Sequence, residues 1–166
     1  MTRVAALVAI GLCGACGTDD VDLTGMYAVD GDVGSMPCGT DQPLPMPPAY
    51  VKFQQETIFG SDYYAMLTCV DAAGTNCEGG GLFGDSFTEP IDGGWRGIIT
   101  TSSGTTTCLL SYTELTAKLA SSKLVVETNQ HSEEVTDGSP CTTDEAQKRN
   151  TAMPCTEHER LDATRL

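Results

Sequence analysis

Eight cysteines carry most of the chemistry in this sequence. Six of them follow Cys16, and an even set predicts disulfides when a chain enters an oxidising compartment. A metal site is a weaker interpretation, because no Cys-x-x-Cys pair follows Cys16 and the chain has only two histidines. The predicted disulfide-forming residues are Cys38, Cys69, Cys77, Cys108, Cys141 and Cys155.

The spacing of these cysteines suggests a pairing without fixing it, since six cysteines can pair in fifteen ways. We expect Cys69–Cys77 to close across a turn. We expect Cys141–Cys155 to join two short helices, which leaves Cys38–Cys108 as the third bridge.

His131 and His158 are the candidate catalytic bases, and both lie in hydrophilic runs. Nucleophilic catalysis needs a nucleophile, a base and a group that orients the base, and the sequence has no Gly-x-Ser-x-Gly elbow. We therefore expect two solvated surface histidines and a chain that is not an enzyme.

Two further motifs lack the surroundings that their chemistry needs. Residues 79–84 fit the Gly-x-Gly-x-x-Gly pattern, but residues 85–90 do not form the helix that would hold a pyrophosphate. Asp30-x-Asp32 begins like a calcium loop, yet Gly34 and Ser35 stand where a ligand and the turn glycine belong. We expect no cofactor and no metal, with calcium as the alternative.

The first twelve residues have the build of an export signal. A basic residue, Arg3, precedes the apolar run Val4–Leu12, and small residues follow. The run is far shorter than the roughly 20 residues that a membrane-spanning helix needs. It is therefore predicted to be a targeting segment.

The next residues, Gly14-Ala15-Cys16, resemble the lipobox of bacterial lipoproteins, which places small residues before an invariant cysteine. The position three before Cys16, where leucine is usual, holds Cys13. The resemblance implies cleavage after Ala15 and transfer of a diacylglyceryl group to Cys16. An ordinary secretory signal is the alternative.

This reading divides the chain into three parts. Residues 1–15 are the signal peptide, residues 16–22 the lipidated cysteine and a tether, and residues 23–166 a disulfide-stapled β domain.

The net charge of −14 excludes some partners. Removal of Arg3 with the signal peptide would make the mature chain one unit more negative. Such a field repels phosphates, so we expect no nucleic-acid partner.

Alternating apolar and polar residues predict β-strands over most of the domain. Val51, Phe53 and Phe59 share one face of a strand, as do Leu109, Leu115 and Leu119 of another. The expected strands are residues 22–29, 50–59, 63–70, 95–101, 105–119 and 123–128.

Turns and an extended segment separate these strands. We expect turns at residues 30–32 and 71–76, and a polyproline II stretch at residues 43–48.

The tail, about residues 142–166, shows helix signals. Thr142-x-x-Glu145 and Thr156-x-x-Glu159 both have the capping-box pattern. Two short helices, about residues 143–150 and 156–165, are therefore expected.

The predicted fold is mainly β, a single antiparallel meander of seven or eight strands. It is closed as a barrel or folded as a sandwich, with two short C-terminal helices. Thr24-Gly25-Met26-Tyr27 is similar to the Gly-x-Trp that opens the first strand of lipocalin-like barrels, with tyrosine replacing tryptophan. That resemblance implies an interior cavity for a small apolar molecule, whereas the modest number of large apolar residues predicts a packed interior.

The expected function is that of an exported lipoprotein of the bacterial cell envelope, held to a membrane by its lipid and acting as a non-enzymatic binding or structural module. Its expected partner is a protein or a small apolar ligand. The alternatives are a lipocalin-like carrier and a secreted inhibitor or adhesion module that uses loops such as residues 71–94.

Overall fold

The computed structural model describes residues 21–58, 60–80, 85–104 and 107–166. The lipidation candidate Cys16, most of the glycine-rich loop at residues 79–84, and Phe59 lie outside these ranges.

The described residues form eleven strands, one α-helix and one short 3-10 helix. The seven long strands are β1 (Gly25–Ser35), β3 (Tyr50–Ile58), β4 (Ser61–Cys69), β8 (Gly94–Ser103), β9 (Cys108–Ala120), β10 (Lys123–Val135) and β11 (Cys155–Arg165). The short strands are β2 (Gln42–Pro43), β5 (Cys77–Gly79), β6 (Ser86–Phe87) and β7 (Glu89–Ile91). The helix α1 (Thr143–Arg149) leads into the 3-10 turn Asn150–Ala152.

All strands belong to one antiparallel sheet, curved into a half-barrel. Its order is β5-β4-β3-β1-β11-β10-β9-β8-β7, so the first long strand of the domain pairs with the last. The strands expected at residues 50–59 and 63–70 form the hairpin β3–β4, and those expected at residues 95–101 and 105–119 form the hairpin β8–β9. The predicted antiparallel β meander is confirmed.

Residues 85–91 link the two ends of this sheet. Phe87 pairs with Tyr64 of β4, while the Thr88 amide donates to Arg96 O of β8 at 2.9 Å. A Cβ added at Gly97 would lie 1.9 Å from Ser86 O, so this close approach of the segment to β8 requires glycine.

The main core lies inside the curve of the half-barrel. Aromatic rings meet there: Tyr64 and Trp95 are 5.0 Å apart, and Phe53 lies 5.9 Å from Tyr27 and 5.4 Å from Phe87 between ring centroids. Ring pairs at these separations pack favourably beyond their burial alone. This filling of the centre supports the predicted packed interior.

A second core lies on the outer face of β8 and β9, under α1. It comprises Leu110, Tyr112, Ala146 and Met153. The helix starts at the predicted capping residue, with the Glu145 amide donating to Thr142 Oγ1 at 3.2 Å. Of the leucine face expected on β9, Leu115 is buried and Leu109 is 46% exposed.

The second predicted helix, residues 156–165, is wrong. These residues form the strand β11, paired with β1 on one side and β10 on the other. Leu161 and Ala163 are buried and alternate with polar residues, a period of two that suits a strand. Pairing on both edges therefore prevails over the local capping pattern.

The predicted first strand and turn are also shifted. The strand begins at Gly25 and continues to Ser35, through the expected turn at residues 30–32. A register shift between Val29 and Gly31 accommodates this segment. An extra residue in one strand bends the ladder without ending it.

Three disulfides are present among the described cysteines, and one of the expected pairings is confirmed: Cys69–Cys77. The other two are wrong, since the structure has Cys38–Cys155 and Cys108–Cys141. Because β11 pairs with β1, Cys155 lies beside the end of β1 and reaches Cys38. Cys141, which precedes α1, reaches the start of β9.

Candidate functional site

The two ends of the half-barrel interior differ in chemistry. At one end Arg165 stacks on Tyr27, with its guanidinium carbon 5.3 Å from the ring centroid. Its Nη2 also donates to Asp22 O at 2.7 Å, and Trp95 Nε1 donates to Val21 O at 2.8 Å. At this end, therefore, the cation Arg165 is hydrogen-bonded to Tyr27 and to backbone carbonyls.

The opposite end of the interior is acidic, and Asp32 is its innermost group. Asp32 pairs in register with Leu161, a core residue, and cross-strand partners share a face of the sheet. The Asp32 side chain therefore enters the interior, where the residue is 6% exposed. Within the described residues its Oδ1 has no hydrogen-bond partner. Burial raises the pKa of the Asp32 carboxyl.

Glu159 lies beside Asp32 on the neighbouring strand. It pairs with Gly34, two residues beyond Asp32 on the same face of β1. Burial raises the pKa of Glu159, and the negative charges of Asp32, Glu157 and Asp85 raise it further. His158 acts weakly in the other direction.

Asp85 brings a third carboxylate from the segment that links the sheet ends. Burial raises the pKa of Asp85, and its charge acts on Glu159 across the interior. We define Asp32, Asp85 and Glu159, with Glu157 at the rim, as the acidic end. Among the ion pairs that the described residues form, none includes a carboxylate of this set.

Uncharged polar side chains continue this surface across β10 and β9. Thr128 lies opposite Glu159, and Gln130 lies opposite Glu157. Thr113 of β9 follows in the same row as Gln130. These groups offer hydroxyl and amide oxygens beside the carboxylates.

A small pocket of about 140 Å³ opens beside the acidic end. Glu157, His158 and Glu159 of β11 line it, together with Gly34 of β1 and Leu44, which follows β2. Two of the carboxylates thus border open space.

The acidic end does not have the geometry of a metal centre. No group of three or more His, Cys, Asp or Glu side chains within the described ranges could hold a metal ion. Asp30 and Asp32, the start of the calcium-like motif, also lie in different surroundings. Asp30 Oδ2 accepts from Lys123 Nζ at 3.0 Å and from Thr164 Oγ1 at 2.5 Å, whereas Asp32 faces the interior.

The expectation that both histidines are solvated is wrong, since each is partly buried and hydrogen-bonded. The His131 Nδ1 atom lies 3.0 Å from Met153 O. The His158 Nδ1 atom lies 2.9 Å from Asp41 Oδ1, which also accepts from the Ser35 hydroxyl at 2.9 Å. Hydrogen bonding by His158 and then Ser35 lowers the pKa of Asp41.

This Ser35–Asp41–His158 group differs from a nucleophilic triad in the order of its contacts. In a triad the imidazole lies between the hydroxyl and the carboxylate and takes the hydroxyl proton. Here the carboxylate lies between the other two groups. The arrangement holds the loop after β1 to β11.

A wider groove of about 610 Å³ lies on the outer surface, beside the Cys69–Cys77 disulfide. Its lining includes Pro47 and Pro48 on one side and Thr75 and Asn76 on the other. Asp71 orders the turn at residues 71–76 by accepting hydrogen bonds from Thr75 and Asn76.

The fold and these sites define an acidic, disulfide-stapled antiparallel half-barrel. No family model, no curated protein and no solved structure matches the chain. Within the described ranges, no helix has the length and apolar character needed to cross a membrane.

Proposed function

We propose that this chain is an exported, lipid-anchored binding module of the bacterial cell envelope, without catalytic activity. The observation that carries the proposal is the set of three disulfides, since such bridges persist in oxidising compartments outside the cytosol. The lipobox-like Gly14-Ala15-Cys16 supports a lipid anchor at Cys16.

The half-barrel supports a binding role in preference to a purely structural one. Its interior has an acidic end where Asp32 is buried and one of its carboxylate oxygens has no hydrogen-bond partner among the described residues, a feature that costs stability and has no structural benefit of its own. A buried polar group without a partner needs an explanation, and the binding of a ligand supplies one.

The runner-up is an interaction module that uses its surface groove. The groove of about 610 Å³ is bordered by the turn at residues 71–76, part of the loop region expected to make contacts. A carrier of a small apolar ligand has less support, because aromatic side chains fill the centre of the half-barrel.

The anchor is tested by replacing each of the two N-terminal cysteines. The full chain is expressed in a bacterium with a lipoprotein pathway and partitioned between detergent and aqueous phases. We expect the wild type and the Cys13→Ser variant in the detergent phase, and the Cys16→Ser variant in the aqueous phase. Recovery of soluble, unmodified mature wild-type protein would remove the lipid anchor from the proposal.

A further inference from the structure

We propose that the acidic end of the half-barrel binds the ammonium group of a small primary amine. The inference rests on the proposed binding function and names the chemical class of its ligand. It starts from Asp32, a carboxylate that enters the interior with one oxygen unpartnered among the described residues.

A positive group is the natural complement of this site. Asp32, Asp85 and Glu159 come from three separate segments of the fold and converge on one end of the interior. Like charges in a partly desolvated space repel one another, and a cation placed among them removes that repulsion. Two arginines of β11 pair elsewhere: Arg160 with Glu127 and Asp162, and Arg165 with Tyr27 and backbone carbonyls.

The same geometry argues for an organic cation in place of a bare metal ion. A metal needs several ligand atoms at about 2.0–2.6 Å, and the described carboxylates do not group in that way. An ammonium group is larger, and its three N–H donors reach acceptors at about 2.7–2.9 Å. The carboxylates of Asp32 and Glu159 supply two such acceptors, and Thr128 supplies a hydroxyl in the same row.

The pocket beside the acidic end, lined by Glu157 and Glu159, offers room for the body of the ligand. Its volume of about 140 Å³ is that of a few water molecules, each of which occupies about 30 Å³ in the liquid. This space suits an ammonium head with a short alkyl chain. Leu44 on the pocket wall offers apolar contact to that chain.

The test uses the full chain, purified from membranes in detergent, and two matched probes. n-Butylamine is titrated at neutral pH and followed by NMR, and 1-butanol is the uncharged probe of similar shape. We expect saturable binding of the amine, with the largest shifts at β11 and around Asp32, and at least tenfold weaker binding of the alcohol.

Three variants remove one negative charge each. Glu159→Gln and Asp85→Asn should each weaken amine binding about tenfold. Glu134→Gln, an exposed carboxylate of β10, is the matched control and should change the affinity less than twofold. An equal effect of all three variants, or an absence of saturable binding by the wild type, would overturn the inference.

The same preparation separates this inference from the function on which it rests. A chain that partitions into detergent through Cys16 but does not bind the amine overturns the ligand class and leaves the anchor intact. A chain that binds the amine without a lipid overturns the anchor and supports the ligand class.

Discussion

Asp32 shows how a single residue can work against the stability of its own fold. Its carboxyl is buried and has an unpartnered oxygen within the described structure, so the charged form is disfavoured. Leu161, its partner in register, is a core residue that offers no hydrogen bond. The free energy of unfolding should therefore depend on the protonation of this one group.

We predict that Asp32→Asn stabilises the protein at neutral pH, by about 1 kcal/mol, because it removes a buried charge. Burial raises the pKa of Asp32 in the folded state, so between about pH 3.8 and that raised pKa the folded protein binds more protons at this group than the unfolded chain does. The free-energy cost of burying the charged Asp32 is absent below about pH 3.8 and reaches its full size once the pH has risen through the folded pKa. Urea unfolding at pH 4 and pH 7 should show a larger benefit of the variant at pH 7.

Glu159, Asp85 and Glu157 face the same space and contribute to that pH dependence. Comparing the Asp32→Asn variant with the wild type at each pH isolates the contribution of Asp32 to the free energy of unfolding. A benefit that is larger at pH 4 than at pH 7 would contradict the assignment of Asp32 as a buried, charged group.

The helix α1 is an element held by side-chain charges as well as by a disulfide. Arg149 contacts Glu133 of β10, and it donates to Glu145 at 2.9 Å and to Asp137 at 3.0 Å. Hydrogen bonds from Ser139 and then Arg149 lower the pKa of Asp137 to about 2. This network fixes the end of α1 over the second core.

We predict that Arg149→Gln lowers the free energy of unfolding by clearly more than the matched control does, because it leaves three carboxylates without their shared cation. Lys148→Gln is the matched control, since Lys148 is 78% exposed and pairs with Glu145 alone among the described residues. It should cost less than about 0.5 kcal/mol. Urea unfolding and amide exchange in α1 measure both effects, and equal costs would contradict the network's role.

Sequence reasoning recovered most elements of this fold and missed those that depend on distant partners. The β3–β4 hairpin and α1 could be predicted because alternation, turns and caps are local signals. The strand β11 could not, because Thr156-x-x-Glu159 resembles a helix start until β1 and β10 pair with it. The acidic end was missed for the same reason, since Glu159 faces Asp32 only once β11 is a strand.

At the scale of the whole molecule, the disulfides span very different lengths of chain. The sequence separations are 117 residues for Cys38–Cys155, 33 for Cys108–Cys141 and 8 for Cys69–Cys77. A bridge restricts the unfolded chain more when it closes a longer loop.

We predict that replacing both cysteines of a bridge with alanine lowers the free energy of unfolding, most for the longest loop. On the chain-entropy model the loss is about 5 kcal/mol for Cys38–Cys155, about 4 kcal/mol for Cys108–Cys141 and about 2.5 kcal/mol for Cys69–Cys77. Urea unfolding of the three oxidised variants provides the ranking. A greater loss from the Cys69–Cys77 pair than from the Cys38–Cys155 pair would show that native-state contacts at the short loop outweigh chain entropy.

The central position of β11 also determines when this protein can fold. Before β11 pairs, the long strands form two blocks, β3–β4 with β1 and β8–β9 with β10, and within the described sheet the short segment at residues 85–91 is the other link between them. The described sheet is therefore incomplete until the eleven residues of β11, which follow all its other strands in the sequence, have joined it.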